Sequence, residues 1–306
     1  MVAPPPQIAV LIVNHNGRAL LPRCLASLAD GLRAADGQSI PHETIVVDNA
    51  SRDDSVAWLR AHHPAVRVVA LDENVGFGRA NNAAAARTRA PFLLLLNADA
   101  WLAPRAAGHL LAACERASDV GLSAPTLRYA DGRLQFVWAP TTGVAGEMIQ
   151  MLRNRFEGAT WNHRGLPRLL RAAGDPGWYT AACALVRRQA FVDVAGFDPA
   201  LFLYFEDVDL CLRLRAAGWR MTQATAAEVF HLKGGAGGRP GSPAYRRSQL
   251  RHYRRHRPRW EQRVLLRRLR RHLASEPDPD RRRALAAVLD DAARDTVERF
   301  AKVPRS

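Results

Sequence analysis

The 306-residue sequence lacks long apolar runs and recognisable targeting signals. The apolar run 92–96 is stopped by Asn97 and Asp99, far short of the roughly 20 apolar residues that a membrane-spanning helix needs. The first residues carry neither a basic segment nor a small-residue cleavage site, so no secretory signal peptide is expected. A membrane-spanning or secreted protein is therefore not predicted.

Cysteine is scarce, and its spacing excludes two kinds of site. The four cysteines are Cys24, Cys114, Cys183 and Cys211, each among apolar neighbours. No Cys-x-x-Cys pair occurs, so neither a zinc site nor a redox dithiol is predicted. We expect four reduced thiols in the core of a cytoplasmic protein.

Acidic residues are almost absent from residues 239–275, which hold thirteen arginines and one acid, Glu261. This segment supplies +12 of the net charge of +15, so the rest of the chain is nearly neutral. A glycine-rich hinge at 234–243, a basic helix over 245–273 and a last helix packed on it over 280–300 are predicted. The charge suits phospholipid, a lipid diphosphate or nucleic acid. We favour peripheral attachment to the inner face of the cytoplasmic membrane over nucleic acid.

Strand and helix patterns alternate along the first half of the chain. Apolar strands are predicted at 8–13, 43–47, 66–70 and 91–96, and helices at 21–28, 51–62, 78–89 and 104–117. Further on, strands are predicted at 179–186 and 226–230 and a helix at 206–217. The alternation predicts an α/β fold with a Rossmann-like, mostly parallel central sheet flanked by helices. In such sheets ligands bind at the carboxyl ends of the strands.

Polar residues fall at those strand ends. Asn97 and Asp99 are two residues apart and point to the same side, and an aspartate there is a hard oxygen ligand for Mg²⁺ or Mn²⁺. His231 ends a later apolar run and is a candidate for the metal or for phosphates. A polar turn without function is the alternative for Asn97 and Asp99.

Residues 74–81 form a second candidate. Gly76 allows close approach of a ligand to the backbone, and the helix that follows offers N–H groups and its dipole to an anion. Asn74 and Asn81 flank this helix start. A dinucleotide fingerprint is the competing interpretation, but its third glycine is absent and it follows the third strand. A flexible loop remains open.

Three carboxylates open the helix at 206–217. Stabilisation by the helix dipole alone is the simplest explanation. However, Asp207 shares a stripe with apolar residues that face inward, which makes it a candidate general base, with Glu206 in support. Asp209 lies four residues before Arg213, so a surface ion pair is expected there.

Taken together, these segments resemble the family 2 glycosyltransferases, in the rhamnosyltransferase-like branch. The resemblance spans about residues 8–235 and rests on the order and spacing of several motifs. The matching stretches are 13–17 (VNHNG), 45–51 (IVVDNAS), 74–82 (NVGFGRANN), 94–99 (LLLNAD), 196–198 (GFD) and 203–210 (LYFEDVDL).

The resemblance implies a GT-A fold over residues 1–238, with a nucleotide-binding half at 1–100, an acceptor-binding half at 101–238 and a basic helical extension at 239–306. It implies that Asp48 contacts the nucleotide, that Asn14 and Asn16 line the same pocket and that Asn81 lies near the ribose or diphosphate. The implied cofactor is Mg²⁺ or Mn²⁺.

The same resemblance implies that Asp99 holds this metal, that His231 lies at the metal or diphosphate and that Asp207 is the catalytic base. Two departures from the pattern matter. Asn97 stands where the family often has aspartate, so weaker metal binding or a contact of Asn97 with the nucleotide is expected. Ala182 replaces a usual glycine before Cys183.

The implied activity is inverting, metal-dependent sugar transfer from a dTDP- or UDP-sugar, with rhamnose the leading sugar. The implied acceptor is a hydroxyl of a glycan or polyprenyl-linked glycan in cell-envelope polysaccharide synthesis. An amphipathic insertion over 141–176 is expected to shape the acceptor groove. The alternatives are a nucleotidyltransferase-like sugar-nucleotide enzyme, a nucleic-acid-binding protein that uses the arginines of 239–275, and a catalytically silent homologue.

Overall fold

A computed structural model describes residues 4–135, 138–139, 142–148, 177–232 and 242–301. The predicted insertion and hinge therefore lie largely outside the described residues. Within these residues the strands are β1 (Ile8–Asn14), β2 (His42–Asp48), β3 (Arg67–Ala70), β4 (Phe92–Asn97), β5 (Ala100–Leu102), β6 (Val120–Arg128), β7 (Leu134–Gln135), β8 (Trp138–Ala139), β9 (Trp178–Tyr179), β10 (Cys183–Arg187) and β11 (Arg220–His231).

The central sheet has the strand order β3-β2-β1-β4-β10-β6-β11-β5, and β7 pairs with β6. The first four strands in this order are parallel, as the alternating pattern predicted. Strands β1, β2 and β4 are buried apolar runs, which is typical of parallel strands covered by helices on both faces. Strand β10 runs antiparallel to β4 and β6, whereas β11 is parallel to β6. The fold is α/β with a mixed sheet.

Ten helices with defined bounds surround the sheet or follow it, and residues 143–148 are also helical. They are α1 (Leu21–Ala26), α2 (Leu28–Gly31), α3 (Ser55–His62), α4 (Phe77–Ala85), α5 (Ala106–Glu115), α6 (Arg188–Asp193), α7 (Glu206–Ala216), α8 (Pro243–His256), α9 (Arg259–Ser275) and α10 (Pro279–Ala301). None of these described helices has both the length and the apolar character needed to cross a bilayer.

The single basic helix predicted over 245–273 is wrong, because the chain forms two helices there. Helix α8 ends at His256, and Arg257 adopts an extended conformation with φ −119° and ψ 148°. Pro258 explains the break, since its ring disfavours a helical conformation of the preceding residue. The two helices consequently present their arginines in different directions.

The predicted strand 179–186 is also two strands, because the chain changes partners within it. Strand β9 pairs with β8 in a separate ribbon, whereas β10 joins the central sheet. Strand β6, central to the second half of the sheet, was not predicted; Pro125 and Ser123 interrupt its apolar pattern.

Two apolar clusters stabilise the described residues. The larger one lies on both sides of the sheet and includes all four cysteines, which are free and buried as expected. The smaller one joins the three C-terminal helices, so α10 packs on the basic helices as predicted. Its buried members are Leu250, Tyr253, Leu265, Leu269, Leu285 and Val288.

Candidate active site

The carboxyl ends of β1 and β2 bring two predicted donor-binding residues into contact. Asn14 and Asp48 are partners in the parallel register, and both side chains are buried. Asn14 Nδ2 donates to Asp48 Oδ1 over 2.9 Å and to Ser51 Oγ over 3.2 Å. The Ser51 N–H donates to Asp48 Oδ2 over 2.9 Å. Asp48 is therefore a rigidly held acceptor at the edge of the sheet.

Asn16 joins the end of β1 to the loop after β2. Its N–H donates to Ser51 Oγ over 2.8 Å, and its Oδ1 accepts from the Arg52 N–H over 2.7 Å. Its φ of 52° is one that asparagine adopts more readily than most residues. Asn16 is exposed close to Asp48, at the edge where the nucleotide pocket was predicted. Its contact with a nucleotide stays a prediction.

Asn49 links three segments and was missing from the predicted site residues. Its Oδ1 accepts from the Val75 N–H over 2.9 Å, and its Nδ2 donates to Asn74 Oδ1 over 2.8 Å. Asn74 Oδ1 also accepts from the Gly76 N–H over 3.0 Å. These two N–H groups before α4 are thus engaged within the protein and not offered to an anion. The available signal for Asn49 was its position directly after Asp48.

Gly76 makes a close approach to another part of the chain. Its φ is +87°, and a Cβ atom there would lie 2.3 Å from the Phe202 carbonyl oxygen. The N–H of Phe77 donates to the same oxygen over 3.0 Å. The close approach expected at this glycine is therefore made by the loop before α7, and contact of Gly76 with a donor stays a prediction.

Two asparagines of α4 have different roles. Asn81 is 1% exposed and donates from Nδ2 to the Phe77 carbonyl oxygen one turn earlier, over 3.0 Å. Its contact with ribose or diphosphate stays a prediction. Asn82, which was not among the predicted site residues, accepts from the Phe197 N–H over 2.9 Å and donates to the Phe197 carbonyl over 2.8 Å. Asn82 therefore ties α4 to the second half of the chain.

The predicted metal residues converge at the ends of β4 and β11. His231 Nε2 lies 3.2 Å from Asp99 Oδ1 and 3.4 Å from Asn97 Nδ2. His231 Nδ1 lies 3.0 Å from Gln135 Oε1, which can only accept, so Nδ1 carries the proton in this contact. Nε2 then faces Asp99 Oδ1 and Asn97 Nδ2 with its lone pair. Gln135 had no sequence signal, because it lies in a two-residue strand.

A divalent cation fits this group of residues. Asn97 Oδ1 is buried without a hydrogen-bond partner among the described residues. Together with a carboxylate of Asp99 and the imidazole of His231, it offers ligands that suit Mn²⁺ or Mg²⁺. No set of three or more His, Cys, Asp or Glu side chains able to hold a metal occurs in the described part of the chain. A bound ion would therefore take further ligands from a diphosphate and water, as such ions commonly do.

Glu206 and Asp207 open α7 as neighbouring carboxyl groups; Glu206 is buried, whereas Asp207 is half-buried. Burial, and next the charge of Asp207, raise the pKa of Glu206 to about 8. Burial also raises the pKa of Asp207, but N–H groups of Val208 and Ala181 donate to it over 2.8 and 3.3 Å and oppose that rise. Glu206 Oε2 has no such donor among the described residues. The charged form is therefore better stabilised at Asp207 than at Glu206.

Two consecutive residues, Ala181 and Ala182, join this pair to the end of β4, where Asn97 lies. The Ala181 N–H donates to Asp207 Oδ2 over 3.3 Å. The next residue, Ala182, accepts at its carbonyl oxygen from the Asn97 N–H over 2.9 Å. The carboxylate pair and the end of β4 consequently lie on either side of one short segment.

Asp209 corrects the expectation of a surface ion pair. Its side chain is 1% exposed, although the predicted bond to Arg213 is present with Nε–Oδ2 at 2.6 Å. Its second oxygen lies 2.7 Å from His256 Nε2. The sequence pattern predicted Arg213, four residues away on the same helix. It could not predict His256 of α8, which is distant in sequence.

The mixed α/β sheet, with polar residues at the ends of β1, β2 and β4, agrees with the GT-A fold that the sequence predicted. The family model for glycosyl transferase family 2 matches residues 9–194. The chain therefore belongs to glycosyl transferase family 2.

Relatives and solved structures agree with this assignment. The chain is 30% identical over 245 residues to an N-acetylglucosaminyl-diphospho-decaprenol L-rhamnosyltransferase of Mycobacterium tuberculosis, covering 76% of this chain and 78% of that protein. A mannosyltransferase of Pyrobaculum calidifontis, solved with GDP-Man and Mn²⁺, matches with a TM-score of 0.59 at 16% identity over 96% of this chain and 81% of that one. Residues 1–349 of S. aureus TarS, solved with UDP-GlcNAc, match with a TM-score of 0.55 at 15% identity over 94% and 80%. At these identities the structures show the shared GT-A fold.

Proposed function

We propose that this glycosyltransferase transfers rhamnose, with inversion, from a dTDP carrier to a hydroxyl of a polyprenyl-diphosphate-linked glycan in cell-envelope polysaccharide synthesis. The observation that carries the proposal is the carboxyl pair of buried Glu206 and half-buried Asp207, joined through residues 181–182 to Asn97 at the end of β4. The named rhamnosyltransferase at 30% identity supports the choice of sugar and of acceptor.

Asp207 is the base of this pair, and Glu206 is its protonated neighbour. Two neighbouring carboxyl groups cannot both ionise easily, so the proton stays on the one whose charged form is less stabilised. Backbone N–H donors favour the anion at Asp207, whereas a Glu206 oxygen is buried without a donor. A protonated Glu206 then adds no second negative charge beside the base.

The proposed reaction is a single displacement. The acceptor hydroxyl attacks the anomeric carbon opposite the leaving nucleoside diphosphate, and Asp207 takes the hydroxyl proton as the bond forms. Proton transfer of this kind contributes about 10²–10⁴-fold to the rate. Asn97, Asp99 and His231 would hold Mn²⁺ or Mg²⁺, and a bound ion supplies charge neutralisation to the diphosphate. The rigidly held acceptor Asp48, with Asn14 and Asn16, would bind the nucleoside.

The extension also offers a surface for an anionic membrane. Five exposed arginines of α9 recur at the spacing of one helix face, and none forms an ion pair in the described part of the chain. This arginine stripe consists of Arg259, Arg263, Arg267, Arg270 and Arg271. Trp260 on the same side is 59% exposed, as in helices that lie on membranes. We propose that the stripe holds the enzyme against the cytoplasmic leaflet, where a polyprenyl-linked acceptor lies, at about 1 kcal/mol per arginine near the surface.

The test is nucleoside diphosphate release from dTDP-rhamnose in the presence of decaprenyl-diphospho-N-acetylglucosamine, with Mn²⁺ or Mg²⁺. Wild type and Asp207→Asn are compared, and UDP- and GDP-sugars serve as competing donors. We expect Asp207→Asn to fold and to bind donor but to lose about 10²-fold or more of its turnover. The exposed Asp290→Asn is the matched control and should turn over normally.

Three outcomes would contradict the proposal. Normal turnover of Asp207→Asn would remove Asp207 as the base. Release of pyrophosphate instead of a nucleoside diphosphate would favour a nucleotidyltransferase. Binding of RNA or DNA without binding of any donor would move the function to the arginines of the extension.

A further inference from the structure

One face of α8 covers the segment 198–209 that leads into the catalytic helix α7. The Tyr245 ring lies 5.3 Å from the Tyr204 ring, and Ser248 Oγ donates to the Leu203 carbonyl oxygen over 2.9 Å. One turn further along α8, His252 stacks on Phe205 with ring centroids 5.1 Å apart. Residues 245, 248 and 252 recur at helical spacing, so the contact follows α8 along its length.

The covered segment has an unfavourable backbone conformation just before the catalytic pair. Tyr204 and Phe205 have φ angles of 68° and 66°. Left-handed conformations of non-glycine residues are unfavourable and persist only where surrounding structure enforces them. Phe205 directly precedes Glu206, so relaxation of this backbone would re-aim both catalytic carboxylates. The rings and the hydrogen bond supplied by α8 are the contacts that enforce it.

Charged side chains of α8 hold both ends of the same segment. At its start, Asp198 is 8% exposed and lies 2.6 Å from Arg255 Nη1 and 3.3 Å from Arg251 Nε. At its end, Asp209 Oδ1 lies 2.7 Å from His256 Nε2 and 3.5 Å from the same Arg255 nitrogen. Arg255 thereby bridges two buried carboxylates that flank the catalytic pair.

We propose that α8 of the C-terminal extension completes the catalytic centre, with Arg255 and His256 as positioning residues that act on Asp207 through Asp209. The proposal rests on the proposed function, in which Asp207 is the base. A plain membrane anchor would need no arginine turned toward the catalytic body. Here Arg251 and Arg255 pair with buried acids of that body, while the arginine stripe of α9 remains exposed.

The charges around Asp209 distinguish a positioning role of Arg255 from a general loss of structure, because only the former shifts the pH dependence of kcat. Arg213, Arg255 and His256 face Asp209, and Asp198 is the neighbouring like charge. Removal of Arg255 leaves more uncompensated negative charge two residues from Asp207. The anionic base then becomes harder to form, so the acid limb of the kcat–pH profile moves to higher pH. Arg255 pairs with Asp198 and Asp209 and not with Asn14, Asn16 or Asp48 of the proposed donor pocket, so we expect donor affinity to stay unchanged.

The experiment uses the full chain with dTDP-rhamnose and decaprenyl-diphospho-N-acetylglucosamine. The variants are Arg255→Gln, His256→Gln and the charge-conserving Arg255→Lys. The control is Arg247→Gln, which lies on the same helix but faces Asp291 of α10 through an exposed pair at 3.6 Å. For Arg255→Gln we expect kcat to fall about tenfold or more, donor Kd to stay within about twofold, and the acid limb to rise by about half a pH unit or more. His256→Gln should lower kcat likewise, and Arg255→Lys should restore the position of the limb.

Turnover and acid limbs of Arg255→Gln and His256→Gln equal to those of Arg247→Gln would overturn the proposal. A fall in kcat with an unmoved limb and equally weakened donor binding would also overturn it, because that is the result of a merely structural role. If Arg255→Gln does not fold, the acid limbs of the kcat–pH profiles of His256→Gln and Arg255→Lys test the proposal instead. Asp207→Asn is measured alongside: full turnover there would instead refute the proposed function.

Discussion

The buried carboxyl of Glu206 makes stability depend on pH, and Glu206→Gln is expected to remove that dependence. Its pKa rises from the ordinary 4.5 to about 8, so the native state keeps a proton that the unfolded chain releases. The stability this proton contributes is fully present below about pH 4.5 and is lost as pH rises toward 8. Since each unit of displacement corresponds to about 1.4 kcal/mol, the loss is on the order of a few kcal/mol.

Glutamine has nearly the same volume and cannot ionise. We therefore expect Glu206→Gln to unfold near the wild-type temperature at acid pH, and about 5 °C or more above it at alkaline pH. Thermal unfolding followed by circular dichroism from acid to alkaline pH measures this, with the exposed Glu73→Gln as control. A constant difference between Glu206→Gln and wild type across the pH range would show that Glu206 ionises as a surface carboxyl does. The assignment of Glu206 as the protonated partner would then be refuted.

Three further predictions concern the metal, the fold and the membrane. Asp99→Ala should abolish the Mn²⁺-dependent part of dTDP-rhamnose binding in calorimetry; unchanged metal dependence would place the metal elsewhere. Gly76→Ala should destabilise by about 2–4 kcal/mol, more than Gly132→Ala, because both have positive φ but only Gly76 would bring a Cβ against a backbone carbonyl. Equal losses of unfolding free energy in Gly76→Ala and Gly132→Ala would show that the approach of Gly76 to the Phe202 carbonyl is not the cause. The double variant Arg263→Gln, Arg267→Gln should bind phosphatidylglycerol vesicles about tenfold more weakly in a sedimentation assay. Unaltered binding would exclude the arginine stripe as the membrane-binding surface.

The parallel half of the fold was predictable because its signals are local. Each strand contains an apolar run, and β1, β2 and β4 end in a polar residue at the edge where ligands bind. Asn14 and Asp48 end neighbouring strands, and the structure brings them into direct contact. The second half was less predictable, because β10 inserts between β4 and β6 and its partners are set by tertiary packing. No periodicity in the chain encodes that insertion.

The candidate site shows the same limit. Asp99 and His231 were identified from separate strand ends, and they do meet, with Nε2 and Oδ1 3.2 Å apart. Gln135, which orients His231, could not be found, since its role comes from a two-residue strand with no pattern of its own. Asn49 was predictable from the sequence, because it directly follows Asp48. Its side-chain oxygen accepts from the Val75 N–H in the loop before α4. Residues that orient other residues leave the weakest trace in sequence.

The C-terminal arginines show why composition predicts a partner's charge but not the direction that a side chain takes. Counting thirteen arginines in residues 239–275 predicted one basic surface. Pro258 divides that segment into two helices, and Arg255 on the first faces buried carboxylates while the arginine stripe on the second faces solvent. A buried acid such as Asp209 is costly without a paired cation, so α7 depends on α8 for its charge balance. Helix α9, which would touch the membrane, packs on α8 in the smaller apolar cluster, and α8 in turn contacts α7, which carries the proposed base.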